Sequence, residues 1–318
     1  MSERRSRGCS RREFIGAGAA AGLAGWLPRP APAGDSPAAA LPLITKVVPS
    51  SGERLPAIGI GTAAFRTELK DEIRAELKRM SELGGSVIDT AAAYGDSEAL
   101  IGEALASLST RDQVFLATKL VGSGGWESFI GTSGADSFAR SLQRLRTARV
   151  DLLQVHNLKG VAALMPTLEG WKKSNRIRYI GVTTSRVSQH AELLDTMRRF
   201  TLDFIQVDYS LANREAAEAI LPLAVERKVA VLVNLPFGRA AMFREAAERQ
   251  LPPWAAEIDV TSWAQFFLKY AISHPAVTCA IPGSTKLSHL EDNQAGGRGR
   301  LPDAAQRRKM EQYWDQRA

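Results

Sequence analysis

Cysteine is scarce in this chain of 318 residues: only Cys9 and Cys279 are present. If Cys9 leaves with a processed N-terminus, no intrachain disulfide can form. Cys279 stands in the apolar run "AVTCAIPG", the setting of a buried structural thiol rather than a nucleophile. The four histidines are scattered, so no Cys/His group has metal-ligand spacing and no metal is expected. The apolar stretch Gly16 to Leu27 is 12 residues long, against about 20 needed to cross a bilayer. A complete dinucleotide fingerprint is missing too. "GIGTAAF" (59–65) has Gly59 and Gly61 but neither a third glycine nor a helix start. The net charge of +7 invites a nucleic-acid reading, but its position argues against one. Six arginines against two glutamates in residues 1–33 carry +4 of it and leave +3 for the rest. That balance suits anionic small ligands without requiring nucleic acid.

The N-terminus reads as a processing segment. "SRREFIG" (Ser10 to Gly16) sets Arg11 and Arg12 before the apolar stretch, Pro28 breaks it, and "APA" (31–33) offers a small–x–small cleavage pattern. The segment resembles a twin-arginine export signal. That resemblance implies a bacterial protein exported to the periplasm, with the translocase as a transient partner. The expected division is a signal over residues 1–33, a Pro/Ala-rich linker over 34–43, and the fold over 44–318.

In the rest of the chain, apolar runs of strand length alternate with helical patterns. Eight runs stand out: 57–61, 86–90, 114–119, 150–156, 178–183, 204–209, 229–235 and 277–283. Between them, "ELKDEIRAELKRMSEL" (68–83) places Leu69, Ile73, Leu77, Met80 and Leu83 at helical spacing. Five further segments behave alike, the helix over 214–228 among them, and 161–175 is weaker but compatible with a helix. The tail from Ala304 reads as a polar helix. Strands that alternate with helices imply a parallel sheet, and near-continuous apolar strands imply burial on both faces. Eight units match a (β/α)8 TIM barrel. A doubly wound sheet, the rival, would favour the fingerprint that is missing. "ITKVVPSSGERLPAIG" (44–59) reads as an N-terminal β-hairpin turning at Ser50, Ser51 and Gly52.

In a barrel, chemistry belongs at the C-terminal ends of the strands. There the second run ends in Asp89, with Tyr94 in the following loop. The third ends in Lys119 and the fourth in His156. The fifth ends in Thr183 and Thr184, and the sixth carries Gln206. The seventh ends at Asn234 and runs into Leu235, Pro236, Phe237 and Gly238. Singly, each ionisable group has a structural explanation, as a cap or a satisfied core residue. Three successive strands ending in one each do not. A tyrosine hydroxyl titrates near 10, and a neighbouring ammonium stabilises its phenolate. Lys119 can supply that charge, Asp89 can keep Lys119 protonated, and His156 can hold a carbonyl oxygen. A proton donor with neither metal nor nucleophile suggests carbonyl reduction, with hydride from a cofactor.

At these residues the sequence resembles the aldo-keto reductase family. The resemblance rests on "VIDTAAAYGDSEALIGEAL", "VFLATK", "SLQRLRTARVDLLQVHN", "RYIGVTTS", "FIQVDYSL" and "AVTCAIPGSTKLSHLEDN", in family order over roughly residues 44–295. It implies Tyr94 as general acid, Lys119 and Asp89 as its tuners, and His156 as the group that orients the carbonyl. It implies a nicotinamide cofactor, NADP(H) ahead of NAD(H). Gly61, Thr62 and Asp89 would sit near the nicotinamide, and Thr183, Thr184 and Gln206 near the carboxamide. Leu235, Phe237 and Gly238 would form a wall, and Ser284, Lys286, His289 and Asn293 would take the phosphate end. The chain departs from the family's Ser-Asn pair, which is Thr183-Thr184 here, so the amide is missing at Thr184. Leu235 stands where some members stack a tyrosine. Trp126, in the Gly/Ser-rich loop 120–136, would border the substrate pocket together with His156.

The reading is a monomeric, exported reductase acting on a small-molecule aldehyde or ketone, or the reverse. Two other readings stay open. One is a nucleotide-binding redox sensor or interaction barrel without turnover. The other is a barrel isomerase or epimerase using Lys and His as acid and base.

Overall fold

The computed structural model describes residues 41–120 and 134–316. The signal, most of the linker and Trp126 therefore lie outside the described residues. The described residues open on a two-stranded antiparallel hairpin, β1 (Thr45–Val47) and β2 (Arg54–Pro56). Gly52 allows its turn by taking φ of 79°, a conformation that costs other residues more. The fold begins earlier than residue 44, because Leu43 bridges to Arg298 and the Pro42 carbonyl accepts from Gly299 N–H.

Eight parallel strands follow: β3 (Ile60–Gly61), β4 (Val87–Asp89), β5 (Phe115–Leu120), β6 (Val150–Val155), β7 (Ile177–Thr183), β8 (Phe204–Asp208), β9 (Ala230–Asn234) and β10 (Val277–Ala280). They pair in sequence order from β3 to β10. Bridges between Ile58 and Ala280 and between Gly61 and Gly283 join the two ends. The result is the expected (β/α)8 barrel. The helices are α1 (Lys70–Glu82), α2 (Ser97–Leu108), α3 (Gly134–Arg144), α4 (Val161–Lys173), α5 (His190–Arg199), α6 (Ile220–Glu226), α7 (Ala241–Glu245), α8 (Trp263–Ser273), α9 (Leu287–Gly296) and α10 (Ala304–Asp315).

Two expectations change in detail. The helix expected over 214–228 is split into a 3-10 turn, Glu215–Ala217, and α6. Pro222 stands in the first turn of α6, where a proline needs no amide donor but cannot extend a helix from before it. The tail helix α10 is not polar throughout: Met310 and Trp314 are buried. Its start follows from a capping box, with Asp303 and Gln306 exchanging side-chain-to-backbone bonds.

Period-two alternation divides the core. Ile88, Leu116, Leu153, Ile180, Ile205 and Val231 point outward and pack under the helices. Val87, Phe115, Leu152, Tyr179, Phe204, Ala230 and Cys279 point inward and fill the barrel. Val48 and Leu55 of the hairpin join that inner cluster and close the N-terminal end. The interior is thus packed apolar below, which confines polar chemistry to the opposite end.

Candidate active site

The same alternation carries the inward face upward to polar residues. Asp89 is two residues on from Val87, Gln154 two from Leu152, and Gln206 two from Phe204. Lys119, Thr183 and Asn234 keep the same parity on their strands. A strand that fills the barrel near its start must therefore present its last inward side chain to the rim.

Asp89 and Lys119 form the base of the site. Lys119 Nζ donates to Asp89 Oδ2 at 2.5 Å and to the Thr90 carbonyl at 2.8 Å. Asp89 Oδ1 accepts from Gln154 Nε2 at 3.2 Å and from Gln206 Nε2 at 2.9 Å. Burial alone would depress the ammonium. The Asp89 carboxylate, with Tyr94 acting in the same sense, outweighs it and holds Lys119 above its ordinary value. Lys119 is a fixed cation at neutral pH. Gln154 escaped the sequence reading, and its shared parity with Leu152 was the signal for it.

Tyr94 sits above the cation. A turn closed from Tyr94 N–H to the Ala91 carbonyl at 3.0 Å, with Gly95 at φ of 60°, brings its ring over the barrel mouth. Lys119 Nζ lies 4.9 Å from the ring centroid. His156 meets the same ring edge-on, 5.8 Å between centroids at 82°. Strand β6 ends one residue before His156, which opens a short turn with Asn157 and Leu158 at positive φ. Burial, reinforced by Lys119, pushes the His156 imidazole down to about 3. It is neutral at physiological pH and carries one N–H donor.

Below the tyrosine, a hydroxyl chain ties the loop after β3 to β4 and α2. Ser97 Oγ donates to Thr62 Oγ1 at 2.8 Å, Thr62 Oγ1 donates to the Asp89 carbonyl at 3.0 Å, and Thr90 and Ser97 are 3.0 Å apart. The Thr62 hydroxyl is thus committed to the fold, although Thr62 lines the cleft.

A cleft of about 990 Å³ opens over these residues. It brings together Gly61, Thr62, Asp89, Tyr94, His156, Thr183, Gln206, Leu235, Phe237, His289 and Asn293 from the residues singled out in the sequence. Lys119 lies beneath it. Thr184, Gly238, Ser284 and Lys286 do not line it. Thr184 Oγ1 donates to Gln189 Oε1 at 2.7 Å and accepts from Arg186 N–H. Ser284 Oγ donates to Glu76 Oε1 at 2.7 Å, and burial pushes that carboxyl up against this bond.

The cleft also includes residues that the sequence reading did not assign to the site. Asn234 lines it, as do Arg186, Arg239, Phe243 and Trp263. Phe237 and Phe243 pack at 4.8 Å, and Trp263 stacks on Phe267 at 5.4 Å. The first three of these come from loops and the start of α7, and Trp263 starts α8, so no local pattern marks them. Asp292 also lines the cleft, but its carboxylate is held by Ser262 Oγ and by Gln265 Nε2 at 2.7 Å. Among the described residues there is no cluster of His, Cys, Asp and Glu suited to a metal. None of their helices is long and apolar enough to cross a membrane.

Comparison with known proteins agrees with this architecture. The family model described as the Aldo/keto reductase family matches residues 57–305. Methylglyoxal reductase YeaE of Escherichia coli strain K12 is 30% identical over 260 residues, which cover 79% of this chain and 88% of that protein. L-galactose dehydrogenase of Arabidopsis thaliana is 23% identical over 274 residues, covering 77% and 85%. Among solved structures, an aldo-keto reductase from Klebsiella pneumoniae in complex with NADPH aligns with a TM-score of 0.70 at 23% identity. That alignment covers 86% of this chain and 95% of the other, and at such identity the likeness is one of fold.

Proposed function

The chain belongs to the aldo/keto reductase family, and from that premise we propose that it is an NADP(H)-dependent oxidoreductase interconverting a carbonyl and an alcohol, with Tyr94 as general acid and base. One observation carries the assignment: a buried Asp89–Lys119 pair lies directly under a tyrosine whose other neighbour is a neutral histidine.

The residues present fit a nicotinamide dinucleotide. Gln206 Nε2 is fixed on Asp89, and Gln206 Oε1, which takes only a long 3.5 Å bond from Asn234 Nδ2, keeps a second lone pair for a donor at the cleft. Arg186, Arg239 and His289 line the same cleft and favour phosphates, and its neighbouring acid, Asp292, is already hydrogen-bonded. NADPH, when bound, supplies hydride to the carbonyl carbon.

The chain's own residues supply the proton and hold the oxygen. Tyr94 donates its hydroxyl proton to the carbonyl oxygen in reduction and takes it back in oxidation. Lys119, held charged by Asp89, stabilises the phenolate left behind. His156 donates its single N–H to the carbonyl oxygen, and its neutrality stops it from competing as an acid. The apolar side of the cleft, with Phe237, Phe243 and Trp263, excludes water from part of this path.

The E. coli relative is named for methylglyoxal, so a small α-oxoaldehyde is the first substrate to assay. The test is carbonyl-dependent NADPH oxidation by purified protein, with Tyr94→Phe as the control. Equal rates for the two proteins would overturn the assigned acid. Nucleotide binding without turnover over a broad carbonyl panel would favour the sensor reading instead.

Export by the twin-arginine route is part of the same proposal and rests on Arg11, Arg12 and the "APA" site. Folded export would carry bound cofactor outward. Replacing both arginines by lysine should leave the protein in the cytoplasm, and unchanged periplasmic levels would count against the signal.

A further inference from the structure

Strand β9 ends in Asn234, whose amide is committed on one side only. Asn234 Nδ2 donates to the Thr184 carbonyl at 2.9 Å and lies 3.5 Å from Gln206 Oε1. A backbone carbonyl only accepts, so the amide cannot be turned over without losing that bond. Oδ1 must therefore face away from Thr184. It is buried, and it has no hydrogen-bond partner among the described residues. Asn234 is one of the residues that line the cleft. A buried amide oxygen without a donor is unfavourable in the protein alone. In a cleft wall it marks a place that accepts an N–H from a ligand.

The neighbouring strands explain what it replaces. Thr184 offers no amide, and its hydroxyl is spent on Gln189 outside the cleft. Gln206 has its Nε2 fixed on Asp89. The order β7-β8-β9 sets Thr183, Gln206 and Asn234 side by side, all on the inward parity and all lining the cleft. Asn234 is held against the Thr184 carbonyl, so it places an amide beside the position whose own amide is missing.

We infer that Asn234 is a positioning residue for the nicotinamide carboxamide, with Oδ1 accepting an N–H from its NH2 group. This rests on the NADP(H) reading above. The ligand chemistry required is a primary amide next to the reacting ring, and Thr183 supplies a hydroxyl donor on the same face for the amide oxygen.

The test compares two dinucleotides. One is NADP+, and the other is its 3-acetylpyridine analogue, in which a methyl replaces the carboxamide NH2. Binding to the purified protein is read by tryptophan fluorescence, with Trp263 in the cleft wall. Wild type should bind NADP+ about tenfold more tightly, because the analogue leaves Oδ1 without a donor. Asn234→Leu should weaken NADP+ binding about tenfold and bring the ratio close to one. If Asn234→Leu does not fold, as judged by circular dichroism, Asn234→Ala gives the same ratio. Equal affinity of wild type for both dinucleotides overturns this inference alone, as does an unchanged ratio without the amide. No binding of either dinucleotide by wild type overturns the NADP(H) reading and this one together.

Discussion

Lys119 Nζ lies 2.5 Å from Asp89 Oδ2, with the two side chains 0% and 3% exposed. Opposite charges buried this fully stabilise each other but depend on each other, because either one alone is left in a poor solvent. Lys119→Met should therefore destabilise the fold by about 3–5 kcal/mol. Asp89→Asn combined with Lys119→Met should cost less than the sum of the two single changes, since no lone charge remains. A chemical denaturation series over the four proteins checks this, and strict additivity would show the pair to be uncoupled. The sign of the Lys119 shift adds a pH window. Its folded value lies above 10.5, so its contribution is complete below that pH and is lost as pH rises through the folded value.

Tyr94→Phe keeps the ring over Lys119 and against His156 but removes the proton. A general acid contributes roughly 10²–10⁴-fold. Turnover should fall by about that factor while the dissociation constant for NADP(H) stays within about threefold. Single-turnover kinetics alongside a binding titration separates the two effects.

His156 makes stability depend on acid. Its folded value is about 3, against an ordinary 6.5. Between those values the unfolded chain binds a proton that the folded chain refuses. Its contribution is complete above about pH 6.5 and is lost as pH falls toward 3, at up to about 1.4 kcal/mol per pH unit. His274, held down to about 4 by burial and Arg307, adds in the same direction. Denaturation midpoints at pH 7, 5 and 4 should show a smaller loss for His156→Gln than for wild type.

Among the described residues, the Gln154 side chain hydrogen-bonds Asp89 alone, and its Oε1 has no partner. Gln154→Leu should remove one bond to a charged group, worth about 1.5–3 kcal/mol, partly offset by apolar packing. A thermal melt reads the loss. The change should also lower turnover more than nucleotide affinity, because the residue acts through Asp89.

Gly61 closes the barrel seam beside Gly283. A Cβ there would stand 2.8 Å from the Ile281 carbonyl oxygen. Gly61→Ala must push β3 from β10 and should cost about 1–3 kcal/mol. Nucleotide affinity should fall with it, since Gly61 lines the cleft. An alanine variant with unchanged melting temperature would show that the seam can relax.

Much of this molecule was legible in its sequence. The eight strands followed from short apolar runs between amphipathic helices, and the barrel from their number and from the missing glycine fingerprint. Asp89, Tyr94, Lys119 and His156 stood out because ionisable groups rarely close three successive apolar strands. Gln154 was legible but unread: one more step of period two from Leu152 reaches the rim. Helical periodicity over 214–228 is blind to the break before Ile220, where Pro222 in the first turn of α6 has no amide hydrogen with which to continue a helix from before it. In the tail, two buried side chains among twelve residues barely alter a polar pattern.

Local pattern decides which residues lie on an inward face, since alternation along a strand is a property of the backbone. It cannot decide what lies opposite. That Thr184 turns its hydroxyl out to Gln189, and that Ser284 spends its own on Glu76, depends on which strands and helices stand next to each other. The same holds for Arg239, Phe243 and Trp263, which reach the cleft from separate loops and helix starts. Sequence alone determined the fold and the four polar groups at its mouth. Tertiary structure decided their partners, because hydrogen bonds and burial are made between segments far apart in the chain. By that route Asp89 acquired two amides and a buried ammonium, and Asn234 kept a carbonyl oxygen with no partner among the described residues.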